Sequence, residues 1–177
     1  MKLIVEERGR GFSKVHQSRI ADVRRRLKSV TPSEDADALR GLADALLSYS
    51  HSQYLLKRPG EEVVSWLKVF LDFLRFRDEK VKVFTFRPEK SRSAFLLVNT
   101  TDVPYLVDSL KNILKQLPQR ATILSHPVFS VLREKGHLKS LNDYGEDALK
   151  ESFMLVQLEG ERELDTRDIE KEISEVM

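Results

Sequence analysis

A chain of 177 residues, 41% of them apolar, has enough hydrophobic side chain to bury a core of ordinary domain size. Its 30 basic and 28 acidic residues nearly cancel, so net charge marks it for neither nucleic acid nor a charged surface. The lack of cysteine removes disulfides, thiolate metal sites and cysteine nucleophiles.

The N-terminus, MKLIVEERGRGF, breaks into charge after Leu3, Ile4 and Val5, far short of a signal h-region or a membrane span. A cytoplasmic protein with no membrane partner is the expectation. Residues 13 to 29 place Val15, Ile20, Val23 and Leu27 at helical intervals, with Ser13 as a candidate N-cap. Residues 33 to 57 open on SEDAD, an acidic first turn that suits the positive end of a helix, and carry Leu39, Leu42, Ala43, Leu46 and Leu47 on one stripe. After the breaker RPGEE, the run VVSWLKVFLDFLRF reads as a third helix that is apolar around most of its circumference. Such a helix needs cover on more than one side. Trp66, Phe70 and Phe73 therefore belong either to this domain's own core or to an interface with another domain.

From Lys80 the period changes. VKVFTFRP alternates as a strand does and stops at Pro88, and SAFLLVNT (93–100) is a second, more continuously apolar strand. Pro104 suits a first helical turn, and Leu106, Leu110, Ile113, Leu114 and Leu117 follow on one helical face that ends before Pro118. ATILSHPVFSVLRE reads as one long strand, bent where Pro127 lacks a donor. KGHLKSLNDYGEDALKE reads as a polar connection, SFMLVQLEG as a strand, and DTRDIEKEISEVM as a helix with an Asp or Thr cap. The expected class is α+β: a helical region over 1–78, then β-β-α-β-β-α over 79–177, with the helices of the second part on one face of its sheet.

A dinucleotide loop needs glycines between strand and helix, and the turn at 99–104 has none; GRG at 9–11 lacks the third glycine and a following βαβ unit. His16, His51, His126 and His137 form no i, i+4 pair, so no metal site is expected. The serines of LSYSHSQY lack a nucleophile elbow, and no catalytic residue is assigned. DVRRRLKS is the strongest basic run, but acidic residues flank Arg24, Arg25 and Arg26 and no aromatics interleave, so no nucleic-acid partner is expected.

The stretch NTTDVPYLVDSL admits two readings. In one, Thr100, Thr101 or Asp102 caps the helix that Pro104 starts. In the other, the same turn seats the carboxylate of a small ligand. Spacing favours the corner.

VNTTDVPYLVDSLKNIL, HPVFSVLREKG and ESFMLVQLEG, in that order, resemble the N-terminal region of the large, bacterial-type NAD-dependent glutamate dehydrogenases. The matching residues run from Asp102 and Pro104 to Ser109, from His126 to Val128, and from Glu151 to Met154, with support over about residues 80–160. The sequence departs from the family's pattern at Leu117–Gln119, where a glycine is usual, and in the added segment GEEVVSWLKVFLDFLRFRDE. The resemblance implies an ACT-like, ferredoxin-like domain in the second half, truncated at its C-terminus, in a chain that continues past Met177. It implies a parent enzyme that oxidises L-glutamate to 2-oxoglutarate and ammonium with NAD. This chain lacks that enzyme's catalytic and dinucleotide-binding domain, so no catalytic residue and no cofactor is carried over to it. It also implies a regulatory or assembly role in a homo-oligomer, with the remainder of the polypeptide as partner, and amino-acid sensing by Thr100, Thr101, Asp102, Val103 and Tyr105, with His126 beside them and the ligand carboxylate at the amides of 101–105. The edge for oligomerisation is expected from the FMLVQLE strand. The alternatives are a docking module without a small ligand and a stand-alone ACT-like amino-acid-binding protein.

Overall fold

The computed structural model describes residues 14–30, 33–48, 53–89, 91–117, 119–142, 145–160 and 166–176. The N-terminal part is helical: α1 (Lys14–Val30), α2 (Ser33–Ser48), α3 (Gln53–Leu56) and α4 (Gly60–Leu74). Helical spacing brings Ile20, Val23 and Leu27 of α1 and Leu39, Leu42, Leu46 and Leu47 of α2 into one buried cluster. Of the helix expected over 33–57, the described residues show α2 up to Ser48 and the single turn α3 from Gln53. Residues 49–52, between the two, lie outside the described residues, as do Ser13 and the GRG segment.

The second part runs β1 (Val81–Phe86), β2 (Ser93–Thr101), α5 (Leu106–Gln116), β3 (Arg120–Ser125), β4 (Val128–Glu134), β5 (His137–Leu141), β6 (Leu149–Glu159) and α6 (Thr166–Val176). All pairings are antiparallel, in the order β1-β2-β6-β4-β5, with β3 also against β6. The strand expected to run unbroken through Pro127 is two strands. β3 pairs with Leu155–Glu159 and β4 with Leu149–Ser152, so both use β6 in succession across the His126–Pro127 break.

Residues 137–141, expected within a polar connection, form β5. Lys135 and Gly136, both at positive φ, make the tight turn that folds β5 back on β4. β6 also begins at Leu149, three residues earlier than the apolar run suggested. Because β2 and β3 are each antiparallel to β6, they are parallel to one another with β6 between them, and α5 makes the crossover. That split βαβ is the kernel of a ferredoxin-like sandwich.

Strand alternation divides the core into two faces. Ala94, Leu96, Val98, Met154, Val156 and Leu158 meet α5 and α6 through Leu106, Leu110, Leu114, Ile169 and Ile173. Phe95, Leu97, Phe129, Phe153 and Leu155 meet the N-terminal helices on the other side. The sheet thus lies between two helical layers, and residues on both sides of position 78 share one core. Trp66, Phe70 and Phe73 are at most 5% exposed and are spent at this junction. Trp66 stands 5.0 Å from Phe95, and Phe70 and Phe73 stand 6.3 and 6.2 Å from Phe153, centroid to centroid. β6 is central, between β2 and the β3–β4 pair, so the FMLVQLE strand has no free edge to offer an oligomer; β1 and β5 end the strand order instead.

Candidate functional site

β2 ends at Thr101 and α5 begins at Leu106, two residues beyond Pro104. Tyr105, a residue 82% exposed, occupies the N-cap position in the left-handed region (φ 64°), and no side chain makes a capping hydrogen bond there. The capping role expected of Thr100, Thr101 or Asp102 is therefore not found. The reason lies on β6, which draws Asp102 away from the helix. The Asp102 N–H donates to the Lys150 carbonyl at 2.9 Å, and the Asp102 carboxylate accepts the Ser152 hydroxyl at 2.5 Å. Thr100 is fully buried opposite Ser152, Thr101 is exposed, and Val103 packs partly into the cluster under α5.

His126, at the break between β3 and β4, completes this arrangement with Nε2 3.2 Å from Ser152 Oγ. A serine hydroxyl has one proton. Since that proton goes to Asp102, Ser152 Oγ accepts from His126 Nε2–H, which fixes the neutral ring's tautomer. Burial pushes the His126 pKa below the usual imidazole value, and the Asp102 charge partly offsets this. In a hydrolytic triad the imidazole sits between acid and hydroxyl so that it can take the hydroxyl proton. Here the hydroxyl sits between, donates to the acid and is 0% exposed, so the group positions the turn and performs no acyl chemistry.

One residue earlier on β6, Glu151 is turned to the opposite face. It is 1% exposed, yet it is fully partnered: Arg133 grips it with Nε to Oε1 at 2.7 Å and Nη2 to Oε2 at 2.9 Å, Arg77 adds Nη2 to Oε1 at 2.8 Å, and Asn99 Nδ2 donates to Oε2 at 3.1 Å. Burial raises the Glu151 pKa, but Arg133 and then Arg77 outweigh it and hold the carboxyl below its ordinary value. Sequence reading missed Ser152, Asn99, Arg77 and Arg133. The signal available was the polar pair Glu151-Ser152 opening an apolar strand, because consecutive strand residues face opposite ways and each must find a buried partner.

The remaining candidates resolve simply. The arginine run of α1 is spent within the chain: Arg24 pairs with Asp44, Arg25 with Asp22, and Arg26 with Asp22 and Glu61. His137 lies against the Phe76 ring at 4.9 Å, while His51 and the side chain of His16 lie outside the described residues. Among the described residues no group of three or more His, Cys, Asp or Glu side chains could hold a metal ion, and no helix is long and apolar enough to cross a membrane. A shallow cleft of about 290 Å³ opens between α5 and α6, lined by Ser109, Asn112, Ile113, Gln116, Glu172 and Glu175. It shares no residue with the turn.

A split βαβ sandwich whose buried polar residues meet at the strand-to-helix turn, under the head of its crossover helix, has the build of an ACT-like α+β domain. The model of the family described as glutamate dehydrogenase, ACT1 domain matches residues 42–173, well over half of the chain, and the chain belongs to that family. No curated protein and no solved structure matches it.

Proposed function

We propose that the chain is a non-catalytic regulatory region of an NAD-dependent glutamate dehydrogenase and that it senses a small amino acid at the turn before α5. One observation carries this reading. Three blocks far apart in sequence, around Asp102, His126 and Ser152, converge on one hydrogen-bonded chain at the head of α5. The turn has the two complements that an amino acid needs, a carboxylate and a set of backbone N–H donors. The Asp102 carboxylate suits its ammonium. The amides of Leu106 to Asp108, ahead of the first helical bond from the Ser109 N–H to the Tyr105 carbonyl, suit its carboxylate. This seat replaces the amides of 101–105, since Asp102 already spends its own N–H on Lys150. Tyr105, exposed at the N-cap position, stands next to these amides in the chain.

An effector that binds one conformation better shifts the population of the coupled enzyme by its differential affinity. The cofactor NAD and the oxidation of L-glutamate belong to the rest of the parent polypeptide, within a cytoplasmic homo-oligomer. The test is thermal unfolding of the chain across a panel of L-amino acids. One member should raise the melting temperature, and Asp102→Asn should abolish the rise.

A second reading rests on a specific feature: the Asp102 amide and one of its carboxylate oxygens are already satisfied inside the chain. In this reading the turn is a structural corner and the chain an assembly module. Uniform silence across the panel selects it.

A further inference from the structure

We infer that the adjacent β6 residues Glu151 and Ser152 couple the turn at Asp102 to the N-terminal helical layer, so that neither end can move without the other. The two residues are 1% and 0% exposed and face opposite sides of the sheet. Ser152 holds Asp102 and His126 on the α5 side. Glu151 holds Arg77, which lies on the link between α4 and β1, and Arg133 of β4. Asn99 of β2 ties the pair together, because its amide donates both to the Glu151 carboxylate at 3.1 Å and to the Ser152 carbonyl at 3.2 Å.

The α4–β1 link is itself fastened. The Arg77 N–H donates to the Gly136 carbonyl at 3.0 Å, Arg77 Nη1 to the Lys80 carbonyl at 2.8 Å, and the Leu138 N–H to the Arg75 carbonyl at 2.8 Å. Lys82 Nζ donates to the Phe73 carbonyl in the last turn of α4 and to the Phe76 carbonyl on the link, at 2.7 Å each. A shift of the helical layer is therefore felt first at Arg77. A buried carboxylate cannot drift from one guanidinium without leaving charge uncompensated, so the cluster moves in steps and not by degrees. A second arrangement is available to it: Arg77 Nε is buried without a hydrogen-bond partner, a donor in reserve that a displaced Glu151 oxygen can meet.

That this coupling carries an effector's signal rests on the sensing reading above. The coupling itself needs no ligand and is tested without one. Native-state hydrogen exchange is followed in the whole chain at the Asp102 and Arg77 amides, with Leu97 and Leu155 as references for global opening. Arg77→Gln should speed exchange at Asp102 by about tenfold relative to the references. Asp102→Asn should do the same at Arg77, since coupling between sites is reciprocal. Arg77→Lys keeps the charge but loses the forked geometry; it gives the same Asp102 readout in a milder variant should Arg77→Gln fail to fold. If Asp102 keeps the wild-type ratio to Leu97 and Leu155 in the Arg77 variant that folds, the inference is overturned, whatever the amino-acid panel shows.

Discussion

Arg77 and Glu151 stand 74 positions apart in sequence, yet Nη2 of one donates to Oε1 of the other at 2.8 Å, and both side chains are more than nine-tenths buried. The pair joins the link after the last N-terminal helix to the central strand, so the helical layer and the sheet are held by charge as well as by the aromatic packing of Trp66, Phe70 and Phe73.

Replacing Glu151 by Gln leaves two guanidinium groups buried without their counter-charge. The expected cost is about 3–5 kcal/mol in urea unfolding. A loss below about 1 kcal/mol, the level of an exposed pair, would show that water reaches this cluster.

The same carboxylate sets an acid limit. Its folded pKa lies below the ordinary 4.5, so its stabilisation is complete above that value and is lost as pH falls through the lower folded value. Wild type should lose stability steeply on acidification below about pH 4.5, and Glu151→Gln, already weaker, should show a shallower fall.

His126 acts nearer neutrality. Its folded pKa lies below the ordinary 6.5, so the folded state binds fewer protons than the unfolded chain, and stability present above 6.5 falls as pH drops below it. One such group gives a slope of at most about 1.4 kcal/mol per pH unit. His126→Gln keeps a donor for Ser152 and should flatten the profile as pH falls below about 6.5; an unchanged slope would place the titrating group elsewhere.

Tyr105 is 82% exposed at φ 64°, a conformation that costs a non-glycine residue about 1–2 kcal/mol. Tyr105→Gly should stabilise the chain by about 1 kcal/mol, because little burial is lost with the ring. Gly136→Ala should act in the opposite sense. At φ 82° a Cβ would stand 3.0 Å from the Arg77 carbonyl oxygen, and the expected cost is about 1–3 kcal/mol, read by thermal unfolding.

Much of this architecture was legible in the sequence, because periodicity reports which face of an element is buried. The stripes of α2 and α5 and the switch to strands after Lys80 all follow from it. What stayed hidden was decided by partners distant in sequence. β5 is short, polar and at a sheet edge, so alternation gives it no signal; the Lys135-Gly136 turn makes it. The break at His126–Pro127 was visible as a bend, but not the way β3 and β4 share β6. Asp102 has a capping residue's chemistry and position, and it was drawn from that role by Ser152, fifty residues on. The buried cluster around Glu151 could not be assembled at all, since Arg77 and Arg133 read locally like any surface arginines.

The most direct test of the sensing role is an amide-resolved NMR titration of the chain with L-amino acids at millimolar concentration. The account predicts saturable shifts for one of them, largest at Tyr105, Leu106 and Val107, and absent in Asp102→Asn. If every member of the panel leaves those amides unmoved, or the shifts cluster in the α5–α6 cleft around Asn112 and Glu172, the turn is not the effector site.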